Sequence, residues 1–284
     1  LNYYIEYCED HNTRIGIMRQ LALIFNFIEN QMSTKRRYTG VWTISTLEKQ
    51  MNNECIVSVI ITCYNLQKYI ARAINSCLNQ TLHDSLYEII IVDDCSTDDS
   101  WDIISNYLVE EQDIRHSNPR RQIVRGIRHD NNKGVSAASN TAINNAQGRY
   151  VVRVDGDDYI DKNFLFSMTQ VLDWNDDIGF VYCDHIVIEK DKTRHIQLNT
   201  LDKLLDHGAG VVFRKKYIKA LGMYNEDYKN REDYDLIMRY IKNFDSYHLR
   251  LPYYKYVKRN GSLTTNTGDR KNIKNIIDKD LGVN

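Results

Sequence analysis

Six cysteines among 284 residues (Cys8, Cys55, Cys63, Cys77, Cys95, Cys183) are scattered with no CxxC pair. That spacing excludes a zinc knuckle and a disulfide framework and points to reduced thiols in a cytosolic setting. No apolar run reaches the roughly 20 residues that a membrane span needs. The longest candidate, Ile15 to Ile28, is broken by Arg19, Gln20 and Asn26 and reads as an amphipathic helix. The opening LNYYIEYCED lacks a basic segment followed by an apolar one, so nothing in it points to secretion. Charge of one sign is also lacking: 37 basic residues face 38 acidic ones, which leaves no global field for nucleic acid or an anionic membrane surface. Any anion site must be local. The two prolines are a compositional trait without chemical meaning. No internal repeat or low-complexity segment occurs.

What is present is an alternation of buried strands and single helices. IVSVIITCY from Ile56 and EIIIVDD from Glu88 are continuous apolar runs, the pattern of strands covered on both faces of a parallel sheet. Between them, Tyr69/Ile70, Ala73/Ile74 and Cys77/Leu78 recur at helical spacing. Ser96 or Thr97 is the expected N-cap of the next helix, with Asp98 and Asp99 in its first turn. QIVRGIRH is a third strand, DNNKG a loop, and a helix through Val135, Ala138, Ala142 and Ile143 stops at Gly148. RYVVRV is the fourth strand. The spacing predicts an α/β, doubly wound, mostly parallel sheet, with ligands beyond the strands' C-terminal ends. Later come a helix over Phe164–Leu172, the strand-like FVYCDHIVI, a charged hairpin EKDKTRH, GVVF and short helices, which read as a mixed sheet. Domain limits follow: 1–50 an N-terminal helical extension and linker; 51–265 the main domain, divided into 51–158 and 159–265; and 266–284 a C-terminal tail.

Each buried strand ends in polar residues: Thr62, Tyr64 and Asn65; Asp93 and Asp94; Asp155, Asp157 and Asp158. A carboxylate there can accept the N–H of a pyrimidine, Tyr64 can stack on it, and Thr62 can reach ribose or base. Turn formation and helix capping explain Asp93 and Asp94 equally well. Asp155-Gly156-Asp157-Asp158 crowds three carboxylates at a strand end. Mg²⁺ or Mn²⁺ held by one or two of them would relieve the repulsion and leave positions for water and a diphosphate; an exposed acidic turn is the plain alternative. An EF-hand is excluded, because Phe166 stands where its twelfth-position Glu would be. Arg231-Glu232-Asp233 opens a helix whose apolar face is Leu236, Ile237, Tyr240 and Ile241, and acidic first turns are commonplace.

VSVIITCYN, IIIVDDCSTDDS, NKGVSAASNTAINNAQGRYVVRVDGDD, GAGVVFRKKYIKALGMYNE, Glu232-Asp233 and YKYVKRNGSLT occur in this order from about residue 56 to 265. In them the chain resembles the inverting family-two glycosyltransferases of the GT-A fold. That resemblance implies a Rossmann-like nucleotide-binding half, a mixed-sheet acceptor half, and transfer from a nucleotide-diphospho-sugar, with UDP favoured, to a glycan or glycolipid hydroxyl. It assigns Thr62, Tyr64, Asn65, Asp93, Asp94, Lys133, Gly134, Asp155 and Arg259 to the donor nucleotide. Asp155 and Asp157 are implied to hold Mn²⁺ or Mg²⁺, with Asp157 the direct ligand. Asp233 is implied as catalytic base, with Glu232 and Gly208–Phe213 near donor sugar and acceptor. Two departures stand out: Ser139 replaces the arginine of an Ala-Arg-Asn element, and Arg259 stands where many members carry histidine. Gln-x-x-Arg-Trp and membrane helices, marks of the processive synthases, are lacking, so single transfer is favoured. Neither nucleic acid nor a membrane span is implied; the location is cytoplasmic, with room for peripheral association at the inner face of the cell membrane. A dinucleotide dehydrogenase is set aside because TCYNLQ, not GxGxxG, follows the first strand. A sugar-phosphate nucleotidyltransferase would want a glycine-rich basic loop there. A catalytically silent binding module of the same fold is the rival from another class.

Overall fold

Continuous apolar runs place β1 (Val57–Cys63) and β2 (Tyr87–Asp93) at the centre, every residue of both being buried. The computed structural model describes residues 55–108 and 123–282, apart from positions 191, 199, 207, 229 and 260–266. The helical extension over 1–50, the start at Met51, the first residue of QIVRGIRH and the Gly261-Ser262 pair lie outside the described residues. β3 (Val124–Arg128), β2, β1 and β4 (Tyr150–Asp155) form a parallel set. The helices connecting them are α1 (Ile70–Leu78), α2 (Ser100–Ser105) and α3 (Val135–Asn145). The doubly wound half therefore stands as its periodicity indicates.

Beyond β4 the sheet becomes mixed. Its path continues through β8 (Val211–Arg214), β6 (Ile178–Glu189), β9 (Asp245–Val257) and β5 (Tyr159–Ile160), with β7 (Lys192–Ile196) on the side of β6. β8 is antiparallel to both β4 and β6, whereas β6 and β9 run parallel. β5 follows β4 closely in sequence but pairs with β9 at the end of the path, so the sheet curls back on itself. Tyr254 locks that closure: Asp155 N–H donates to its hydroxyl at 3.2 Å, and the hydroxyl donates to Asp158 Oδ2 at 2.9 Å.

Alternating strand residues feed two cores. Val57, Val59 and Ile61 pack with Ile70, Ile74 and Cys77 of α1 and with Phe164, Leu165 and Met168 of α4 (Phe164–Trp174). Ile60, Ile90 and Val92 face Ala138, Ala142 and Ile143 of α3 and Leu236, Ile237 and Tyr240 of α7 (Glu232–Ile241). Two short helices, α5 (Leu201–Asp206) and α6 (Lys215–Ala220), flank β8 in sequence. The stretch read as a C-terminal tail contains α8 (Thr267–Asp280), whose Ile277 is buried in the second core.

Three local expectations are corrected. α2 begins at Ser100 with Asp99 at the N-cap, not at Ser96 or Thr97, and Asp98 lies before the helix. Asp98 instead accepts from Ser100 N at 3.0 Å and Gln67 N at 3.1 Å, which ties the loop after β2 to the loop after β1. α3 ends at Asn145 with Ala146 extended, so Gly148 is not its stop. Gly148 is needed for close approach, since a Cβ there would lie 2.5 Å from Ser58 N. The same holds for Gly156, where a Cβ would stand 2.8 Å from the Thr62 carbonyl oxygen.

Candidate active site

Register aligns the strand ends. Thr62 pairs with Asp155 across β1 and β4, and Cys63 with Asp93 across β1 and β2. The loops beyond are then fixed by side chains. Asn65 sits at φ 54° and its Oδ1 accepts from Thr97 N at 2.8 Å, while its own N–H donates to Ser96 Oγ at 2.9 Å. Cys95 and Arg231 also adopt left-handed φ, at 62° and 63°. Such conformations cost of order 1 kcal/mol each for side-chain-bearing residues and concentrate at functional sites. Tyr64 remains 47% exposed at this rim, a free aromatic face, and Thr62 is buried.

Asp93 and Asp94 serve the protein itself. Asp93 is wholly buried and takes Ser96 N at 3.1 Å, Ser96 Oγ at 2.5 Å and the Arg128 guanidinium at 3.2 Å. Asp94 accepts from Lys133 N at 2.9 Å and Gly134 N at 2.7 Å, and its Oδ1 lies 2.7 Å from His129 Nδ1. Lys133 and Gly134 are thus pinned at the start of α3, where Gly134 has φ 93°.

The second centre is Arg153, which sequence reasoning passed over. Its Nε lies 2.9 Å from Asp155 Oδ1, its second arm donates to Glu232 Oε1 at 2.8 Å, and its guanidinium lies 5.3 Å from the Tyr224 ring centre. The signal was available: a cation inside an otherwise buried strand must be paired. Burial works against its charge, but Asp155, Tyr224, Glu232 and Asp233 outweigh it and hold its pKa well above the usual range. Burial likewise raises the Asp155 pKa against the pull of Arg153, and the charges of Asp157 and Asp233 both push it further. Carboxylates from β4, the following turn and α7 therefore act on one another in one region. Glu232 is also raised by burial, opposed by Arg153. Asp233 lies against Gly208, at which a Cβ would fall 2.3 Å from Asp233 Oδ2.

Asp157 carries Arg259, whose Nε donates to its Oδ2 at 2.5 Å, and its carbonyl accepts from Arg72 at 2.8 Å. Arg72 stands 4.7 Å from the Tyr159 ring centre. Asp158 turns inward to Tyr254 and to Val257 N at 2.8 Å; burial and the neighbouring Asp157 and Asp155 hold its pKa well up. It holds β9 rather than facing the rim. Among the described residues no group of three or more His, Cys, Asp or Glu side chains surrounds one point. An all-protein metal cage does not fit. A Mg²⁺- or Mn²⁺-type ion does, since it takes one or two carboxylates and completes its shell from diphosphate and water; Asp155 Oδ1 is buried against Arg153 Nε at 2.9 Å, while the Asp155 side chain as a whole is 30% exposed.

The sequence model of glycosyl transferase family 2 matches residues 58–248. The chain belongs to that family. Its GT-A fold is shared with Staphylococcus aureus TarS 1–349 in complex with UDP-GlcNAc, at a TM-score of 0.65 and 23% identity over 78% of this chain and 65% of that one. A mannosyltransferase of Pyrobaculum calidifontis, in complex with GDP-Man and Mn²⁺, superposes at a TM-score of 0.54 with 18% identity over 72% of this chain and 58% of that one. In sequence, the poly(ribitol-phosphate) beta-N-acetylglucosaminyltransferase TarS of S. aureus is 33% identical over 116 residues, 41% of this chain and 18% of that protein. The chain spans 23% to 37% of the length of the first curated relatives it matches. No helix among the described residues is long and apolar enough to cross a membrane.

Proposed function

We propose that this family-2 domain moves one sugar per encounter, with inversion, from a UDP-sugar to a hydroxyl of a glycan or glycolipid acceptor. One observation carries the reading: Arg153 joins Asp155, at the end of β4, to Glu232, the neighbour of Asp233 at the start of α7, and the charge of Asp233 acts on Asp155. The nucleotide complexes of TarS and of the mannosyltransferase support the donor class.

Thr62, Tyr64 and Asn65 receive base and ribose, with Asp93 and Asp94 holding the loops and the Lys133–Gly134 turn beneath them. Asp155 and Asp157 would hold Mn²⁺ or Mg²⁺, which would neutralise charge on the diphosphate. Arg259, already beside Asp157, offers a planar guanidinium to the same diphosphate. Asp233 takes the proton of the acceptor hydroxyl while that oxygen bonds to the anomeric carbon; the bond from that carbon to the diphosphate oxygen breaks, and UDP leaves with its electron pair. Attack opposite the leaving group inverts the centre.

A thermal-shift screen of nucleotides and nucleotide sugars, with and without Mn²⁺, followed by donor turnover, tests this reading. UDP with Mn²⁺ should raise the melting point, since a ligand at a hundredfold its Kd stabilises by about 2.7 kcal/mol. No shift with any nucleotide, together with no release of UDP, would refute it.

A further inference from the structure

Asp233 sits on the first turn of α7, where its Oδ1 accepts from Tyr234 N at 2.8 Å, but the usual N-cap side-chain bond is lacking. The N-cap residue, Arg231, has φ 63° and provides no side-chain capping bond. What holds Glu232 is Arg153, 2.8 Å away on β4. The same guanidinium holds Asp155 at 2.9 Å and lies 5.3 Å from the Tyr224 ring centre, in the segment leading to α7. Its side chain is only 10% exposed, and Glu232 is buried as well, so neither end of the pair is replaced by water. A buried planar fork spanning two carboxylates fixes distance and angle together, which a lysine ammonium does not.

We infer that Arg153 is a positioning residue for the transfer: acting through Glu232, it sets the separation between Asp155 on the donor side and Asp233 on α7. The inference rests on the proposed role of Asp233. Both arms of Arg153 are spent on protein carboxylates. Its effect is geometric, and displacement of a reacting group by about 1 Å can lower turnover on the order of a hundredfold.

The test is Arg153→Lys in the full chain, with kcat and donor KM for sugar transfer, UDP affinity by calorimetry in Mn²⁺, and the melting point. The expected outcome is a fall in kcat of about ten- to a hundredfold, with UDP affinity and donor KM close to the wild-type values. Unchanged kcat per folded molecule, whatever the melting point, overturns the inference and leaves the proposed function standing. A wild-type protein that binds no UDP and releases none from any UDP-sugar overturns both. If Arg153→Lys does not fold, Arg153→Gln carries the test, because its amide can still donate to one carboxylate but cannot span both. A similar loss of kcat at near-normal donor KM then supports the inference, and undiminished kcat overturns it.

Discussion

Gly208→Ala is the sharpest steric probe of Asp233. The added Cβ would stand 2.3 Å from Asp233 Oδ2 and 2.6 Å from its Cβ and Cγ. Ordinary contact begins near 3.4 Å, so the carboxylate must retreat by about 1 Å or the 208 backbone must move equally. The root of the side chain is struck as well as its tip, and a rotamer change alone does not clear the clash. Overpacking of this kind destabilises by about 1–3 kcal/mol. With Asp233 as the proposed base, a displacement of that size loses on the order of a hundredfold in turnover, while the proposed nucleotide pocket at the ends of β1 and β2 is untouched. Steady-state transfer kinetics and UDP calorimetry on purified protein, with the folded fraction measured, should show a collapse of kcat at near-normal UDP affinity. A folded Gly208→Ala protein with kcat within about threefold of wild type would refute the placement of Asp233 at the reacting centre.

Glu88 binds Ser58 Oγ at 2.6 Å, Gln147 N at 2.6 Å and Arg125 at 2.5 Å, and these contacts overcome burial to lower its pKa below the usual 4.5. Glu88→Gln should lower stability by about 1–3 kcal/mol at neutral pH in urea titrations. Because the folded pKa is depressed, that gap is complete above pH 4.5 and should narrow only below it; a gap independent of pH would contradict the assignment. Asp94→Ala strips partners from Lys133 N, Gly134 N and His129, and should cost about 2–4 kcal/mol with weakened UDP binding; unchanged UDP affinity would show that the turn does not serve the nucleotide.

The parallel half was legible because β1 and β2 are buried on both faces and say so in consecutive apolar residues, and because α1 and α3 carry clear helical stripes. The second half was only outlined. β5 has two residues, and its pairing with β9 is set by closure of the sheet through Tyr254 and Asp158, a contact across 96 positions that no local pattern records. The polar clusters at the strand ends do come together at one rim of the sheet. They did not divide labour within it: Asp94, Asp98 and Asp158 bind backbone amides, and only three-dimensional partners separate them from Asp155 and Asp157. Arg153 was visible as a charge inside VVRV, yet its partner Glu232 lies 79 residues away.

The central claim, a carboxylate on α7 that takes the acceptor proton beside a separately built nucleotide pocket, is tested most directly by Asp233→Asn. UDP-sugar turnover and UDP affinity should be measured side by side on wild type and variant. Abolished transfer with UDP binding intact is the expected result. Normal turnover by the folded variant would contradict the account.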